Sequence, residues 1–181
     1  MSSIPKAIAV LAVSTFLFAL PPGAVAGPIV IPISVQAQAG NADTTVTLQG
    51  PLMNLPPTGG AAGQLSAQVT LIDNNGDGAT ITGQLPSGNS IEVHYDVSSL
   101  FGGVISQATA APGQTIVISE AFPPSGFALF PSPPTSVHVQ MQFLLSAHDS
   151  VNIEGALTIV PEPTAGLLLV VLGWVSMRPR R

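Results

Sequence analysis

The segment Asp73-Asn74-Asn75-Gly76-Asp77-Gly78 comes closest to a chemical site in residue type and spacing. Side-chain oxygens stand at its first, third and fifth positions, on Asp73, Asn75 and Asp77, and a glycine follows at the sixth. Calcium takes several hard oxygen ligands, and a glycine at the sixth position lets a binding loop turn around the ion. The twelfth position, where such a loop carries a bidentate glutamate, is Gln84, and the flanking residues read as strands rather than helices. The same six residues also suit a hairpin loop, because Asn, Asp and Gly tolerate left-handed backbone. The sequence leaves a Ca2+ site and a plain hairpin both open.

Glu92, His94 and Asp96 alternate along an apolar segment and therefore share one strand face. Two carboxylates beside an imidazole bind metal or tune a proton acceptor, and they also make an ordinary wet strand face. His138 lies between valines and points away from the core. His148-Asp149 precedes the last strand and reads as a turn. Catalysis finds little footing. There is no G-x-S-x-G elbow, no H-E-x-x-H and no phosphate-cradling Gly-Lys motif. A pair of acids such as Glu92 and Glu120 would serve a glycosidase, but nothing singles out a pair. The expectation is a protein that is not an enzyme and has no cofactor beyond the Ca2+ that Asp73, Asn75 and Asp77 suggest.

Composition narrows the partners. Of 181 residues, 46% are hydrophobic and 7% charged, against about 25% charged in an ordinary soluble domain. The four basic residues are Lys6, Arg178, Arg180 and Arg181, so Gly27 to Val160 contains no lysine or arginine, while eight of the nine acids lie there. Without cations the central region cannot make the phosphate contacts that drive nucleic-acid binding, nor clamp an anionic substrate with arginine. The chain has no cysteine, which excludes disulfides, thiolate metal sites and cysteine nucleophiles.

The elements that must position these residues read as strands. Val46 and Leu48 alternate with Thr45, Thr47 and Gln49. Ile91, Val93, Tyr95 and Val97 alternate with Glu92, His94 and Asp96, and Val137, Val139, Met141 and Phe143 with His138, Gln140 and Gln142. Period-two patterns bounded by Gly, Pro, Asn and Ser predict half-buried strands, and regular spacing of short strands predicts an all-β, antiparallel β-sandwich over 27–159. Residues 51–63 and 123–134 read as loops, the second carrying Phe127 and Phe130 either as partner contacts or as plugs at the end of the sandwich. Gly155 suggests a bulge or break in the last strand.

The two ends read as addresses. Residues 1–26 form a secretory signal peptide: Lys6 is the positive start, 7–20 an apolar helix, and Ala24-Val25-Ala26 an A-x-A cleavage site that leaves Gly27 first. The implied partners are the export machinery and signal peptidase. Residues 160–181 hold Pro161-Glu162-Pro163, an apolar run at 165–177 suited to a short membrane helix, and the basic stop Arg178, Arg180 and Arg181, which places the remainder outside the membrane. This tail resembles the PEP-CTERM sorting signal of Gram-negative bacteria. The resemblance covers only about the last 22 residues. It implies processing by an exosortase-type membrane enzyme and an association with the cell surface, exopolysaccharide and biofilm matrix. About 13 residues at a rise of about 1.5 Å span roughly 20 Å, less than the roughly 30 Å hydrocarbon core, so the tail reads more as an address than as a lasting anchor. The expected protein is an exported structural or interaction protein of the cell envelope or extracellular surface, membrane-anchored at least transiently. The alternative is a calcium-assisted module binding exopolysaccharide through polar sheet faces.

Overall fold

The computed structural model describes residues 8–11, 27–55 and 60–161, and among these there are strands and turns but no helix. Thirteen strands follow in order: β1 (Ile8–Leu11), β2 (Ile29–Gln38), β3 (Thr44–Gln49), β4 (Met53–Asn54), β5 (Ala61–Ile72), β6 (Ala79–Gly83), β7 (Ile91–Tyr95), β8 (Ser99–Val104), β9 (Gln107–Ala110), β10 (Thr115–Phe122), β11 (Ala128–Leu129), β12 (Ser136–Leu145) and β13 (Ser150–Pro161). All pairings are antiparallel.

The first sheet runs β1-β2-β13-β5-β10, with β11 also on β5. The second runs β8-β7-β12-β6-β9, with β3 and β4 on the other side of β12. Several short strands continue one another along a shared partner: β3 with β4, β6 with β7, β8 with β9, and β10 with β11. Apart from β1, this leaves eight composite strands, four to a sheet, in orders 1-8-3-6 and 2-7-4-5. That is the connection order of a jelly roll. One apolar cluster joins the inner faces, drawing Val35, Leu65, Val69 and Ile153 from the first sheet and Ile81, Ile91, Val137 and Phe143 from the second. Alternation does the sorting, since every second residue of β2, β5, β12 and β13 enters the core.

The expectations of an all-β fold and antiparallel sheets hold. Several details differ. Residues 99–110 carry no strand signal, yet they form β8 and β9. Gly102 and Gly103 dilute the pattern there, and Gly102 is required by packing: a Cβ on it would stand 2.1 Å from the Phe122 ring. Residues 61–63 are strand rather than loop, because β13 and β11 pair them on both sides. Gly155 neither breaks nor bulges β13, whose register runs unbroken past it; the residue is small because a Cβ would meet the Ser66 carbonyl oxygen at 2.2 Å. The two phenylalanines of 123–134 divide. Phe130 is buried and stacks on Phe101 at 4.1 Å, edge-on to Tyr95, while Phe127 is 49% exposed.

Of the segment read as a signal helix, Ile8–Leu11 is extended and pairs with Val35–Gln38. Its remainder, the cleavage residues Ala24 and Ala26, and the tail beyond Pro161 lie outside the described residues.

Overpacking a tight site costs about 1–3 kcal/mol, and Gly155 faces backbone that cannot yield. Gly155→Ala is therefore expected to lower stability by about that amount, read as an earlier urea midpoint. An unchanged midpoint would show that β5 and β13 are not so closely apposed.

Candidate functional site

The outer face of the second sheet brings three titratable side chains together, Glu92, His94 and His138. In the antiparallel register His138 stands directly opposite His94, and Gln140 lies between Glu92 on β7 and Gln49 on β3. The imidazoles stack with centroids 5.4 Å apart and planes 20° from parallel. Glu92 is 1% exposed, although it points outward. The excursion between β6 and β7 folds over it, and Ser87 donates to Glu92 Oε1 from its backbone N–H at 3.2 Å and from its hydroxyl. Glu92 Oε2 lies 2.9 Å from His94 Nε2, and His94 Nδ1 lies 3.5 Å from the Ser98 carbonyl. Both nitrogens of His94 thus face acceptors.

His138 is different. It is 5% exposed, and its Nδ1 has no hydrogen-bond partner. Burial, followed by the neighbouring His94, pushes its pKa below the ordinary imidazole value, because both disfavour a second positive charge there. Sequence periodicity placed Glu92, His94 and Asp96 on one face. The structure keeps Glu92 and His94 together, adds His138, and removes Asp96, because β7 ends at Tyr95 and the expected alternation does not continue through Asp96 to Val97, both of which take positive φ in the turn. Asp96 opens the β7–β8 turn at φ 46°, and its carboxylate turns to Thr135, accepting from the backbone N–H at 2.7 Å and the hydroxyl at 2.8 Å. Those bonds, the backbone one first, hold Asp96 below the usual carboxylate range.

Two cavities lie elsewhere, and neither is lined by Glu92 or His94. An apolar slot of about 30 Å³ opens between Ile31 and Ile33 of β2 and Leu48, Met53 and Met141, with His138 at its wall; that is room for about one water molecule. A shallow open groove crosses the outer face of the first sheet among Ser66, Gln68, Ser119 and Glu154. Here Gln68 Nε2 donates to Ser119 Oγ at 3.3 Å, and Asn152 Nδ2 to Glu154 Oε1 at 3.2 Å. Asn152 Oδ1 is buried without a partner.

The loop Asp73–Gly78 joins β5 of the first sheet to β6 of the second, so the hairpin that its composition suggested is not formed: β5 and β6 pair with other strands and the loop crosses between the sheets. Asp73 Oδ1 accepts from the N–H groups of Asn75 at 3.1 Å and Gly76 at 2.8 Å, and Oδ2 from those of Gly78 at 3.0 Å and Gly113 at 2.6 Å. Asn75 Oδ1 accepts from the Asp77 N–H at 3.2 Å. The Gly113 N–H above all, with those of Gly76, Gly78 and Asn75, lowers the Asp73 pKa to about 2 against the opposing effect of desolvation. A cation at this loop would share Asp73 with those four donors. Among the described residues no three His, Asp or Glu side chains gather as metal ligands.

Glu120 sits on the other sheet from Glu92 and accepts from the Ile105 N–H at 2.7 Å, bracing a residue held at φ 61°. Asp149, fully buried, accepts from the Asn74 N–H at 3.3 Å and from the Ser146 hydroxyl. His148 occupies the expected turn at φ 66°. Pro161 ends β13 opposite Ala61 and Gly27 precedes β2, whereas Glu162, Pro163, Arg178, Arg180 and Arg181 lie beyond the described residues.

No family model matches the chain, and no curated protein matches it. The site is therefore read from its own geometry. Sequence reasoning missed the His94–His138 stack, because pairing of strands over forty residues apart is invisible to periodicity. It also missed the anchoring work of the acids, although Asp43, Asp73, Asp96 and Asp149 do stand at strand ends.

Two pH effects follow. Asp73 has a folded pKa below its unfolded value, so its contribution is present above about pH 4 and lost as pH falls towards about 2. Thermal melts should show Asp73→Asn destabilised at pH 7, with the gap to the native chain closing over that window; a constant gap would contradict the assignment. His138 has a depressed folded pKa, so stability falls as pH drops below the ordinary imidazole value near 6.5. His138→Gln should flatten that slope, and an unchanged slope would place the proton elsewhere.

Proposed function

We propose that the protein is an exported structural or interaction protein of the bacterial cell surface or extracellular matrix, not an enzyme. The observation that carries this reading is the order of features at its two ends. Lys6, an apolar run and Ala24-Val25-Ala26 stand at one; Pro161-Glu162-Pro163, the apolar run 165–177 and Arg178, Arg180 and Arg181 stand at the other. Every basic residue of the chain belongs to these segments. The fold suits such a role. Ile29 pairs with Ile159, so the expected mature N-terminus and the tail leave the sandwich side by side, and the domain hangs from one end. An exosortase-type enzyme then reads the tail, and the domain remains at the surface or enters the matrix.

Fractionation of intact cells with mass spectrometry of both termini tests this. The expected result is an envelope or extracellular protein beginning at Gly27 with a processed tail. A cytoplasmic protein that keeps residues 1–26 would end the proposal.

A second reading is favoured by the groove on the first sheet. Ser66, Gln68 and Ser119 present amide and hydroxyl groups there with the two carboxylates Glu120 and Glu154 and no cation, and Asn152 donates to Glu154 beside them, which matches an uncharged polysaccharide better than a polyanion. Ca2+ at Asp73, Asn75 and Asp77 would stiffen the end of that sheet. Native exopolysaccharide should retain the protein, and Gln68→Ala together with Glu154→Ala should weaken retention about tenfold if two hydrogen-bonding groups are lost. No retention with or without millimolar calcium, and no heat on calcium titration, would remove this reading.

A further inference from the structure

The exposed apolar side chains are not scattered. Seven large hydrophobics are substantially exposed: Val30, Leu52, Val97, Leu100, Val117, Phe127 and Leu129. The register places all but Val117 towards one end of the sandwich. Val30 lies one residue into β2, opposite Thr158. Leu129 pairs with Ala62 beside the end of β13, and Phe127 is in the loop just before it. Val97 is the tip of the β7–β8 turn, Leu100 lies just past that turn, and Leu52 lies between β3 and β4, next to Met53, which pairs with Val137 near the start of β12. The carboxylates gather at the other end. Asp43, Asp73, Asp77 and Asp149 stand on loops that bond to one another there, through Asp43 to the Ala147 N–H and Asp149 to the Asn74 N–H. Among the described residues Asp96 is the acid at the apolar end, and Thr135 occupies its carboxylate.

Val97 adds a second argument. A β-branched residue at φ 77° is strained, and a positive-φ position in a short hairpin turn such as this three-residue one, Asp96–Ser98, is ordinarily Asn or Gly. Here the strained position carries an apolar side chain that is 73% exposed. Folding alone gains nothing from it.

The chain itself supplies the third. Pro161, the last residue of β13, lies at this apolar end, and the apolar run 165–177 begins four residues later. Four Cα steps reach at most about 14 Å. If that run enters a bilayer, this end of the sandwich must lie at the headgroup layer, which is about 5–7 Å deep on each side of the hydrocarbon.

We infer that the end of the sandwich bearing Val97, Phe127 and Leu129 is a membrane-contact surface that dips these side chains into the lipid interface while the acidic end faces away. The proposal rests on the membrane reading of the tail. Apolar side chains at the interface add binding in proportion to the area they bury, and the described acid at this end, Asp96, is already hydrogen-bonded to Thr135, which limits the charge to be desolvated. The contact sets the tilt of the domain and holds the Pro-Glu-Pro motif close to the membrane, where a membrane enzyme would meet it.

The absence of native cysteine makes the test direct. Full-length protein carrying single substitutions Val97→Cys, Phe127→Cys, Leu129→Cys, Val117→Cys or Asp77→Cys is labelled with a polarity-sensitive dye and added to phosphatidylcholine vesicles. Thermal melts confirm that each variant folds, as exposure at these positions leads one to expect. Labels at 97, 127 and 129 should shift to the blue and lose access to aqueous iodide, while labels at 117 and 77 stay quenched. Vesicle-bound protein whose labels at 97, 127 and 129 are quenched as fully as that at 117 overturns the contact surface and leaves the tail reading intact. Full-length protein that does not float with vesicles overturns the tail reading, and the contact surface with it.

Discussion

Between Gly27 and Val160 the chain has no lysine or arginine, so among the described residues no carboxylate is paired with a fixed positive charge. The eight acids are compensated by hydrogen-bond donors instead. Asp43, Asp73, Asp96 and Asp149 take backbone N–H groups at turns, Glu120 takes that of Ile105, Glu92 takes Ser87 and His94, and Glu154 takes the Asn152 amide; Asp77 alone accepts none among the described residues. Charge-assisted bonds of this kind are stronger than neutral ones. They are spent where the jelly roll is least supported by its core, at strand ends and at the kink between β8 and β9. The loops therefore keep their geometry without disulfides and without salt bridges, apart from Glu92 with His94.

The same economy explains why the most chemical-looking residues are mostly structural. Asp73 resembles the first ligand of a calcium loop, yet both of its oxygens already bind the chain. Glu92 and His94 resemble an acid–base pair, yet Ser87 closes over the carboxylate. His138 is the residual anomaly, a buried imidazole with an unpartnered nitrogen packed on another imidazole. It makes the second sheet sensitive to acid, since the stack holds two ionisable rings and only one nearby carboxylate.

The side chains also divide the molecule by character. The inner faces build one core. The outer faces stay polar but almost uncharged. The two ends differ, one acidic and interlocked, the other apolar and carrying both exits of the chain.

Much of the architecture was legible in the residues. Alternation in β2, β5, β7, β12 and β13 marks both strand and face, because the side-chain period of a strand is fixed by its pleat. The absence of cations and cysteine, and the order of features at the two ends, are also properties of the sequence alone. What alternation could not reveal was anything that depends on partners distant in the chain. Gly155 looks like a break, and Gly102 like a gap in the pattern, until the Ser66 carbonyl and Phe122 are seen occupying the space of their missing side chains. Phe127 and Phe130 look alike until Phe101 takes one of them into the core. The sheet order, the meeting of His94 with His138, and the gathering of exposed apolar side chains at the end where the chain departs were all decided by tertiary pairing, since each depends on which strands lie side by side and a local pattern records only which face a residue prefers.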